Sequence, residues 1–196
     1  MKFVLATHNQ HKVKEMSEQL AALGVEVISQ KEAGVDIEVE ETGTTFTENA
    51  ILKADAVMRA TGLPAIADDS GICVAGLNGG PGVYSARFGG EGLTDAERTA
   101  LMLEMLHGVT DRSAYYHSSI VCIFPSGDRL IAEGECHGTI GFAPIGEGGF
   151  GYDPVFFLRG MSKTFAQISA EEKAKYSHRG IALRDFAQKL EEYLKK

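Results

Sequence analysis

The sequence predicts a mixed α/β (α+β) fold, in which a central twisted mixed sheet is flanked by helices. Three observations lead to this fold class. Short apolar runs alternate with amphipathic helical segments over residues 3–75, as strands and helices in alternation do. Two strand patterns separated by a turn then follow, which predicts a β-hairpin. The last segment has the apolar repeat of a helix, so helices should cover the sheet.

The first elements are a strand, a helix and a second strand. "FVLA" is a short apolar run that predicts a buried strand. A helix follows, with apolar residues at the 3-4-3 spacing of one helical face: Val13, Met16, Leu20 and Leu23. Gly24 is placed to end this helix, and "VEVIS" alternates as a strand does.

A capping box at Thr45 and Glu48 predicts the start of the second helix. One apolar face supports it: Phe46, Ala50, Ala54, Val57 and Met58. Gly62 and Pro64 end the helix, and "PAIA" predicts a short strand that ends at the run Asp68-Asp69-Ser70-Gly71. "ICVAGL" continues in an extended conformation.

Residues 76–92 contain seven glycines and predict a long irregular segment, which in compact domains is often functional. Thr94 and Glu97 form a second capping box before another helix. The hairpin comprises "YYHSSIVCIF", the turn "PSGD" and "RLIAEGECHG". "YDPVFF" predicts a further strand. Ser169 and Glu172 predict a third capping box, and the last helix has apolar residues on one face.

Composition indicates a globular protein with one domain over residues 1–196. Hydrophobic residues make up 44% of the chain and charged residues 23%, which are ordinary values. The length fits one domain, with two lobes around a cleft as a variant. No apolar run approaches the ~20 residues of a membrane helix, and the N-terminal run is too short for a signal peptide. We therefore expect a cytoplasmic protein with no membrane partner.

Net charge and cysteine content exclude several classes of protein. The net charge of −8 argues against non-specific binding to nucleic acid. A ligand that carries phosphates would need a divalent metal and focused cations to overcome the repulsion. The three cysteines, Cys73, Cys122 and Cys136, are widely spaced, so they predict neither a disulfide framework nor a zinc site.

The stretch "GEGGFGYDPVFF" contains G-x-G-x-x-G at Gly146, Gly148 and Gly151. A dinucleotide-binding turn needs these glycines between the first strand and a helix. Here they lie late in the chain and precede a strand pattern, so the match is interpreted as accidental. A loop that allows close approach of the backbone to a flat ligand explains them better.

Adjacent carboxylates at Asp68 and Asp69 are candidates for metal binding or for water activation. Mg²⁺ binds through one or two carboxylates together with substrate phosphates, and a carboxylate can deprotonate a water. An Asx-turn explains the same residues equally well. The acidic residues Glu38, Glu40 and Glu41 are either further metal ligands or, as charge runs usually are, a solvated loop.

Two cationic segments complete the candidate site. Thr7, Asn9 and Lys12 lie between the first strand and the first helix, where free N–H groups and the helix dipole favour anions. A lysine there opposes the dipole, which favours phosphate binding over a surface role. Lys173 and the segment Ser177-His178-Arg179-Gly180 precede the last helix. They are candidates for reading a base or a phosphate, or else a helix cap with surface charges.

Together, these motifs resemble the inosine triphosphate pyrophosphatase family. The resemblance rests on "ATHNQHK", "EETGTTFTENA", "ADDSG", "GGPGVYSARF", "GGFGYDPVF" and "SHRG", in this order. It runs from residue 4 to about residue 190. His11 departs from the family, which often has glycine there, and this affects the expected geometry of that loop.

The resemblance implies a two-lobed homodimer that is active with Mg²⁺. Its reaction would hydrolyse ITP, dITP and XTP to the monophosphate and pyrophosphate at a cleft between the lobes. Glu40 and Asp69 would bind Mg²⁺, Asp69 would be the general base, and Ser70 would touch the substrate. The triphosphate would be held by Thr7, His8, Asn9, Gln10, His11 and Lys12. The nucleotide would be bound by Phe150, Gly151, Tyr152, Asp153, Lys173, His178 and Arg179.

Two other functions remain open at this point. One is a pyrophosphatase that prefers a pyrimidine or a modified standard nucleotide. The other is a nucleotide sensor that binds without hydrolysis, although a sensor has no need of a water-activating carboxylate. The sequence does not distinguish the roles of Glu38, Glu40 and Glu41 at the metal, or decide between a metal ligand, an orienting residue and a turn residue for Asp68.

Overall fold

The computed structural model of the chain describes residues 1–8 and 10–195, with the backbone alone at Gln10, His11 and Glu15. The strands are β1 (Lys2–Leu5), β2 (Glu26–Ser29), β3 (Ala65–Val74), β4 (Ser113–Ile123), β5 (Arg129–Ile140) and β6 (Phe156–Leu158). The α-helices are α1 (Gln10–Leu20), α2 (Phe46–Thr61), α3 (Asp95–Met105), α4 (Ala170–Tyr176) and α5 (His178–Leu194).

Six strands form one mixed sheet, in the order β2-β1-β3-β4-β5-β6. Strand β1 is parallel to β2 and to β3, whereas β5 and β6 are antiparallel. A tight turn at residues 124–128 joins β4 to its neighbour β5, as the hairpin pattern predicts. The mixed sheet with its helices confirms the predicted fold class. Among the described residues, no helix combines the length and hydropathy that crossing a membrane requires.

The chain divides into two compact units. The first comprises Met1–Asp69, Ser118–Gly134 and Ala182–Lys196. The second comprises Ser70–His117 and Glu135–Ile181. Strands β3, β4 and β5 therefore contribute residues to both units. The single two-lobed domain expected over residues 1–196 stays a prediction.

The first unit has a layer of apolar side chains on each face of its strands. Successive side chains of a strand point to opposite faces. Phe3 and Leu5 accordingly pack with residues of α1 and α5, among them Met16, Leu183 and Phe186. Val4 packs on the other face with the α2 residues Ala50, Ala54 and Val57. One helix layer thus covers each face of β1.

The second unit has its own core. Side chains of β3, β4 and β5 pack there against α3 and against the segment around β6. The largest fully buried members of this core are Ile72, Met102, Leu106, Phe156 and Phe165. Helix α3 is therefore anchored to this core through its apolar face.

Helix boundaries follow the sequence signals closely. Both halves of the capping box are present at Thr45 and at Thr94, as predicted. Gly24 and Gly62 end their helical segments at φ values of 68° and 66°, in the left-handed region that glycine adopts without strain. At Ser169 only half of the predicted box forms, since its side chain accepts from the Glu172 N–H.

Three expected boundaries are wrong in detail. Strand β3 does not end at the aspartate pair but continues through it to Val74. The run "YDPVFF" begins with a short 3-10 turn, Asp153–Val155, before β6. His178 and Arg179 do not precede the last helix but form its first turn. For the aspartate pair in β3, the contacts that outweigh the local pattern are ion pairs with lysines of two helices, described below.

Candidate active site

The alternation of side chains along β3 sends its two aspartates to opposite faces. Asp68 shares the face of Ile66, which packs in the cluster that contains α1 residues. Asp69 shares the face of Ala65 and Ala67, which pack with α2. Each aspartate thus meets a different helix, and each helix contributes one lysine.

Lys12 on α1 forms an ion pair with Asp68. The geometry follows from the sheet, because β1 lies beside β3 with Leu5 level with Ile66. The chain leaves β1 at the level of the aspartates and enters α1, so the first turn of α1 is brought next to them. Only 4% of the Asp68 side chain is exposed. A charge so deeply buried needs a partner, and Lys12 provides it.

Lys53 on α2 connects three acceptors. Its Nζ donates to Asp69 Oδ1 at 2.8 Å, to Glu41 Oε1 at 2.8 Å and to the Asp68 backbone carbonyl at 3.0 Å. Asn49 Nδ2 donates to the other Asp69 oxygen at 3.4 Å. All three ammonium protons are therefore used, as a lysine with a side chain only 16% exposed requires.

Burial and charge set the ionisation of this group. Burial raises the pKa of Asp69, Lys53 opposes that rise, and the charges of Glu41 and Asp68 add to it. Burial lowers the pKa of Lys53, but the charges of Asp69 and Glu41 outweigh burial and raise it overall. The result is a charged lysine beside a carboxylate that is more basic than usual, which suits Asp69 to accept a proton.

Sequence reasoning missed Lys53 and Asn49, although a signal was present. Both residues lie at helical spacing within the buried stripe of Ala50, Ala54 and Val57. A lysine in an apolar stripe has to find acceptors in the interior, and the aspartates that follow α2 on a buried strand are acceptors of that kind.

The acidic stretch before α2 contributes one carboxylate to this cluster. Glu41 is half-buried and pairs with Lys53, whereas Glu38 and Glu40 are exposed. The resemblance points to Glu40 as the metal ligand, and that assignment stays a prediction. Within the described residues, no group of three His, Cys, Asp or Glu side chains is arranged to hold a metal ion. Carboxylate oxygens are nevertheless the donors that Mg²⁺ takes, and it uses few of them when phosphates supply the rest.

The segment between β1 and α1 contains the other residues predicted to hold the triphosphate, and their environments differ. Thr7 is half-buried, and His8 is exposed with its Nε2 2.7 Å from Asp36 Oδ1. Asn9 lies outside the described residues, as do the side chains of Gln10 and His11. Among the predicted phosphate ligands of this segment whose side chains the structure describes, Lys12 contacts the aspartate pair.

In the second unit, Asp153 fixes the glycine-rich loop of residues 146–151. Its side chain is buried, and Oδ2 accepts from the Phe150 N–H at 3.0 Å and from the Lys173 ammonium. Phe150 is 58% exposed. Lys173 Nζ lies 4.4 Å from the ring centroid, and the Arg179 guanidinium lies 5.7 Å from it. An exposed aromatic ring beside two cations is suited to stack on a flat anionic ligand.

Close packing explains three of the glycines in this loop. Gly149 has φ of 74°, and a Cβ there would collide with the Asp153 carboxylate. A Cβ at Gly146 or Gly148 would approach the Ala166 backbone within 3.0 Å. The run is followed by a 3-10 turn and a strand rather than a helix, so the dinucleotide-binding context is absent.

His178 and Arg179 are placed by the break between α4 and α5. Ser177 Oγ accepts from the Gly180 N–H at 3.1 Å, which starts α5. The His178 ring is buried and stacks on Tyr116, with centroids 4.7 Å apart and planes at 9°. Arg179 Nη2 donates to Ser70 Oγ at 3.2 Å. Three predicted substrate ligands, Ser70, His178 and Arg179, thus lie in one unit.

Tyr152 differs from its predicted neighbours. The residue is only 5% exposed, and its side chain packs in the core of the second unit. Its hydroxyl donates to the Ser85 carbonyl at 2.8 Å. Any substrate contact by Tyr152 therefore has to come from its backbone, whereas the ring fixes the loop to the core.

Comparison with known proteins identifies the family. The Ham1 family model matches residues 3–189. The dITP/XTP pyrophosphatase of Nitrosomonas europaea is 49% identical over 97% of this chain and 95% of its own length. That of an Exiguobacterium species is 46% identical over the full length of both. A HAM1 protein from Coxiella burnetii has a similar structure, with a TM-score of 0.93 and 43% identity over 98% of this chain and 99% of its own. This chain belongs to the Ham1 family.

Proposed function

We propose that this protein is a nucleoside triphosphate pyrophosphatase that hydrolyses non-standard purine nucleotides. The cluster of Asp69, Lys53 and Glu41 carries the proposal, because a buried lysine orients a carboxylate of raised pKa there, which suits the activation of a water for hydrolysis. Relatives named dITP/XTP pyrophosphatase support the substrate class. The finer proposal is that ITP, dITP and XTP are converted to the monophosphate and pyrophosphate with Mg²⁺.

In the proposed reaction, Asp69 accepts a proton from a water that attacks the α-phosphorus. The bond from the α-phosphorus to the oxygen bridging the α- and β-phosphates breaks, and pyrophosphate leaves with that oxygen. The raised pKa of Asp69 favours this proton transfer. Lys53 keeps the Asp69 carboxylate oriented through Oδ1, and Asn49 does so through Oδ2.

Metal and cations would balance the charge of the triphosphate. Asp69, with Glu40 or Glu41, would hold Mg²⁺, which neutralises charge on the phosphates when it is bound. Lys12 is paired with Asp68 in the structure, and its ammonium would turn to a phosphate oxygen. A net charge of −8 makes such local compensation necessary.

In the proposal, the loop that contains Phe150 and the first turn of α5 supply the contacts to the base. Phe150 would stack on the purine, and a donor among His178 and Arg179 would face the 6-oxo group of hypoxanthine or xanthine. Adenine carries a 6-amino donor there, so two donors would face each other and both would stay unpaired. This accounts for selection against ATP.

Product analysis tests the proposal directly. The protein is incubated with Mg²⁺ and, separately, with ITP, XTP, GTP, ATP or dTTP, and pyrophosphate and orthophosphate are assayed. We expect pyrophosphate and monophosphate from ITP and XTP, and little product from ATP or GTP. Orthophosphate as the product, or turnover of dTTP alone, would contradict the proposed reaction or substrate. Light scattering in the same buffer tests the proposed homodimer.

A further inference from the structure

We propose that Asp95 and Thr99 of α3 are positioning residues for Phe150. They hold the loop so that the exposed ring is a fixed platform for the purine, and they thereby set affinity for the base rather than the rate of phosphate chemistry. This inference rests on the proposed function.

The Phe150 ring cannot be oriented by burial, because more than half of it is exposed. Lys173 and Arg179 lie against the ring, and the backbone at residues 150 and 151 sets the direction in which the side chain leaves the loop. Asp153 fixes the first of these through the Phe150 N–H. Helix α3 fixes the second, since Asp95 Oδ2 accepts from the Gly151 N–H at 2.7 Å and Thr99 Oγ1 donates to the Gly151 carbonyl at 3.4 Å.

Gly151 is the point at which the loop turns. Its φ of 59° lies in the left-handed region, and a Cβ there would meet nothing within 4 Å. Glycine is therefore favoured at this position by conformation and not by lack of space. Because both polar groups of Gly151 are held by α3, the helix determines the direction in which the chain enters and leaves the turn.

The contact between α3 and the loop depends on hydrogen bonds, because side chains do not fill the space between them. A pocket of about 250 Å³ lies between the start of α3 and the loop, lined by Asp95, Ala96, Thr99 and the loop residues around Phe150. Loss of a hydrogen bond therefore leaves the loop free to move into this space. The bond from Asp95 is charge-assisted, which makes it the stronger of the two.

Helix α3 is a firm support for these bonds. Thr94 caps the helix by accepting from the Glu97 N–H, and Glu97 accepts from the Thr94 N–H, so Asp95 is not needed as the cap and its carboxylate serves the loop. Thr99 is 3% exposed, and Met102 is fully buried in the core of the second unit. The helix transmits the rigidity of this core to Gly151.

The test uses Asp95→Ala, Asp95→Asn and Thr99→Val, with Glu104→Ala as the matched control, an exposed carboxylate on the same helix. Steady-state kinetics are measured with XTP, and calorimetry gives the affinities for XMP and for pyrophosphate. For Asp95→Ala we expect KM to rise and XMP binding to weaken roughly tenfold, the order expected for one charged hydrogen bond. The value of kcat and pyrophosphate binding should stay unchanged.

The conservative variant separates positioning from folding. Asp95→Asn keeps a carbonyl acceptor for the Gly151 N–H, so it should restore most of the XMP affinity even if Asp95→Ala is too unstable to measure. Unchanged XMP binding in Asp95→Ala, or an equal loss of XMP and pyrophosphate binding, overturns the inference. If the wild-type protein releases no pyrophosphate from XTP, the proposed function fails and the inference fails with it. If the wild-type protein is active and the variants match it, the inference alone fails.

Discussion

In the first unit, Lys53 forms ion pairs with two carboxylates. It is mostly buried, and it compensates Asp69 and Glu41 at the same time. A buried ion pair contributes little net stability compared with an apolar pair, but removal of one partner leaves an uncompensated charge. The loss of Lys53 should therefore affect both folding and catalysis.

We expect Lys53→Met to lower the free energy of unfolding at pH 7 by roughly 3 kcal/mol. It should also reduce kcat strongly, because Asp69 loses its orienting donor. Without Lys53 the folded pKa of Asp69 rises further above its unfolded value. A carboxyl with a raised folded pKa destabilises the folded state at neutral pH, and protonation relieves this as the pH falls.

The deficit of Lys53→Met relative to wild type should accordingly shrink between pH 7 and pH 5 in urea unfolding. Lys189→Met is a suitable control, since Lys189 forms a more exposed ion pair, with Asp185, elsewhere in the first unit. A deficit that is constant with pH would show that lost packing, not charge, is the cause.

Glu40 and Glu41 are adjacent but have different environments. Glu40 is exposed, and Glu41 pairs with Lys53. We expect Glu40→Ala to raise the Mg²⁺ concentration needed for half-maximal activity, as the family resemblance implies. Glu41→Ala should instead lower thermal stability, because Lys53 loses an acceptor. A higher Mg²⁺ requirement in Glu41→Ala, with Glu40→Ala unaffected, would transfer the proposed metal role to Glu41.

Helix α2 brings Lys53 and Asn49 to the sheet, so its start matters for the site. The Thr45 side chain accepts from the Glu48 N–H, and Glu48 accepts from the backbone N–H groups of Thr44 and Thr45. We expect Thr45→Ala to lower the free energy of unfolding by about 1 kcal/mol. Thr42→Ala, in the exposed segment before the helix, is the control and should leave stability unchanged.

The same capping box has a defined dependence on pH. The hydrogen bond from the Thr44 N–H lowers the pKa of the exposed Glu48 carboxyl. A lowered folded pKa means that the stabilisation is present above the unfolded pKa and is lost as the pH falls through the folded pKa. The difference in melting temperature between wild type and Glu48→Gln should therefore be larger at pH 7 than in acid. A difference that grows in acid would contradict this role for Glu48.

For the molecule as a whole, the net charge of −8 opposes a polyanionic ligand. Charge neutralisation by a divalent cation should therefore control binding as well as turnover. Asp69→Asn, expected to be folded but inactive, allows XTP binding to be measured without hydrolysis. This change also removes one carboxylate of the proposed metal site. Binding of XMP and of pyrophosphate is therefore measured in the wild-type protein as well. We expect pyrophosphate binding to weaken on chelation of Mg²⁺, and equal affinities with and without Mg²⁺ would contradict the proposed metal dependence.

Local signals in the sequence account for much of the fold. The apolar run of β1, the capping boxes at Thr45 and Thr94, and the glycines after α1 and α2 each act within a few residues along the chain. Such signals are readable because caps, turns and helical periodicity depend on near neighbours. They also place the aspartate pair after α2 and the glycine loop before β6, where the candidate site residues lie.

The partners of those residues depend on contacts between distant parts of the chain. "DDSG" has the composition of a turn, yet Asp68 and Asp69 lie within a strand because Lys12 and Lys53 compensate their charges on opposite faces of the sheet. In the same way, Asp95 is distant in sequence from the Gly151 peptide that it holds. Sequence alone determined the elements and the residue types available for chemistry, because these follow from local periodicity. Only tertiary structure decided which charges meet, because burial and pairing depend on packing.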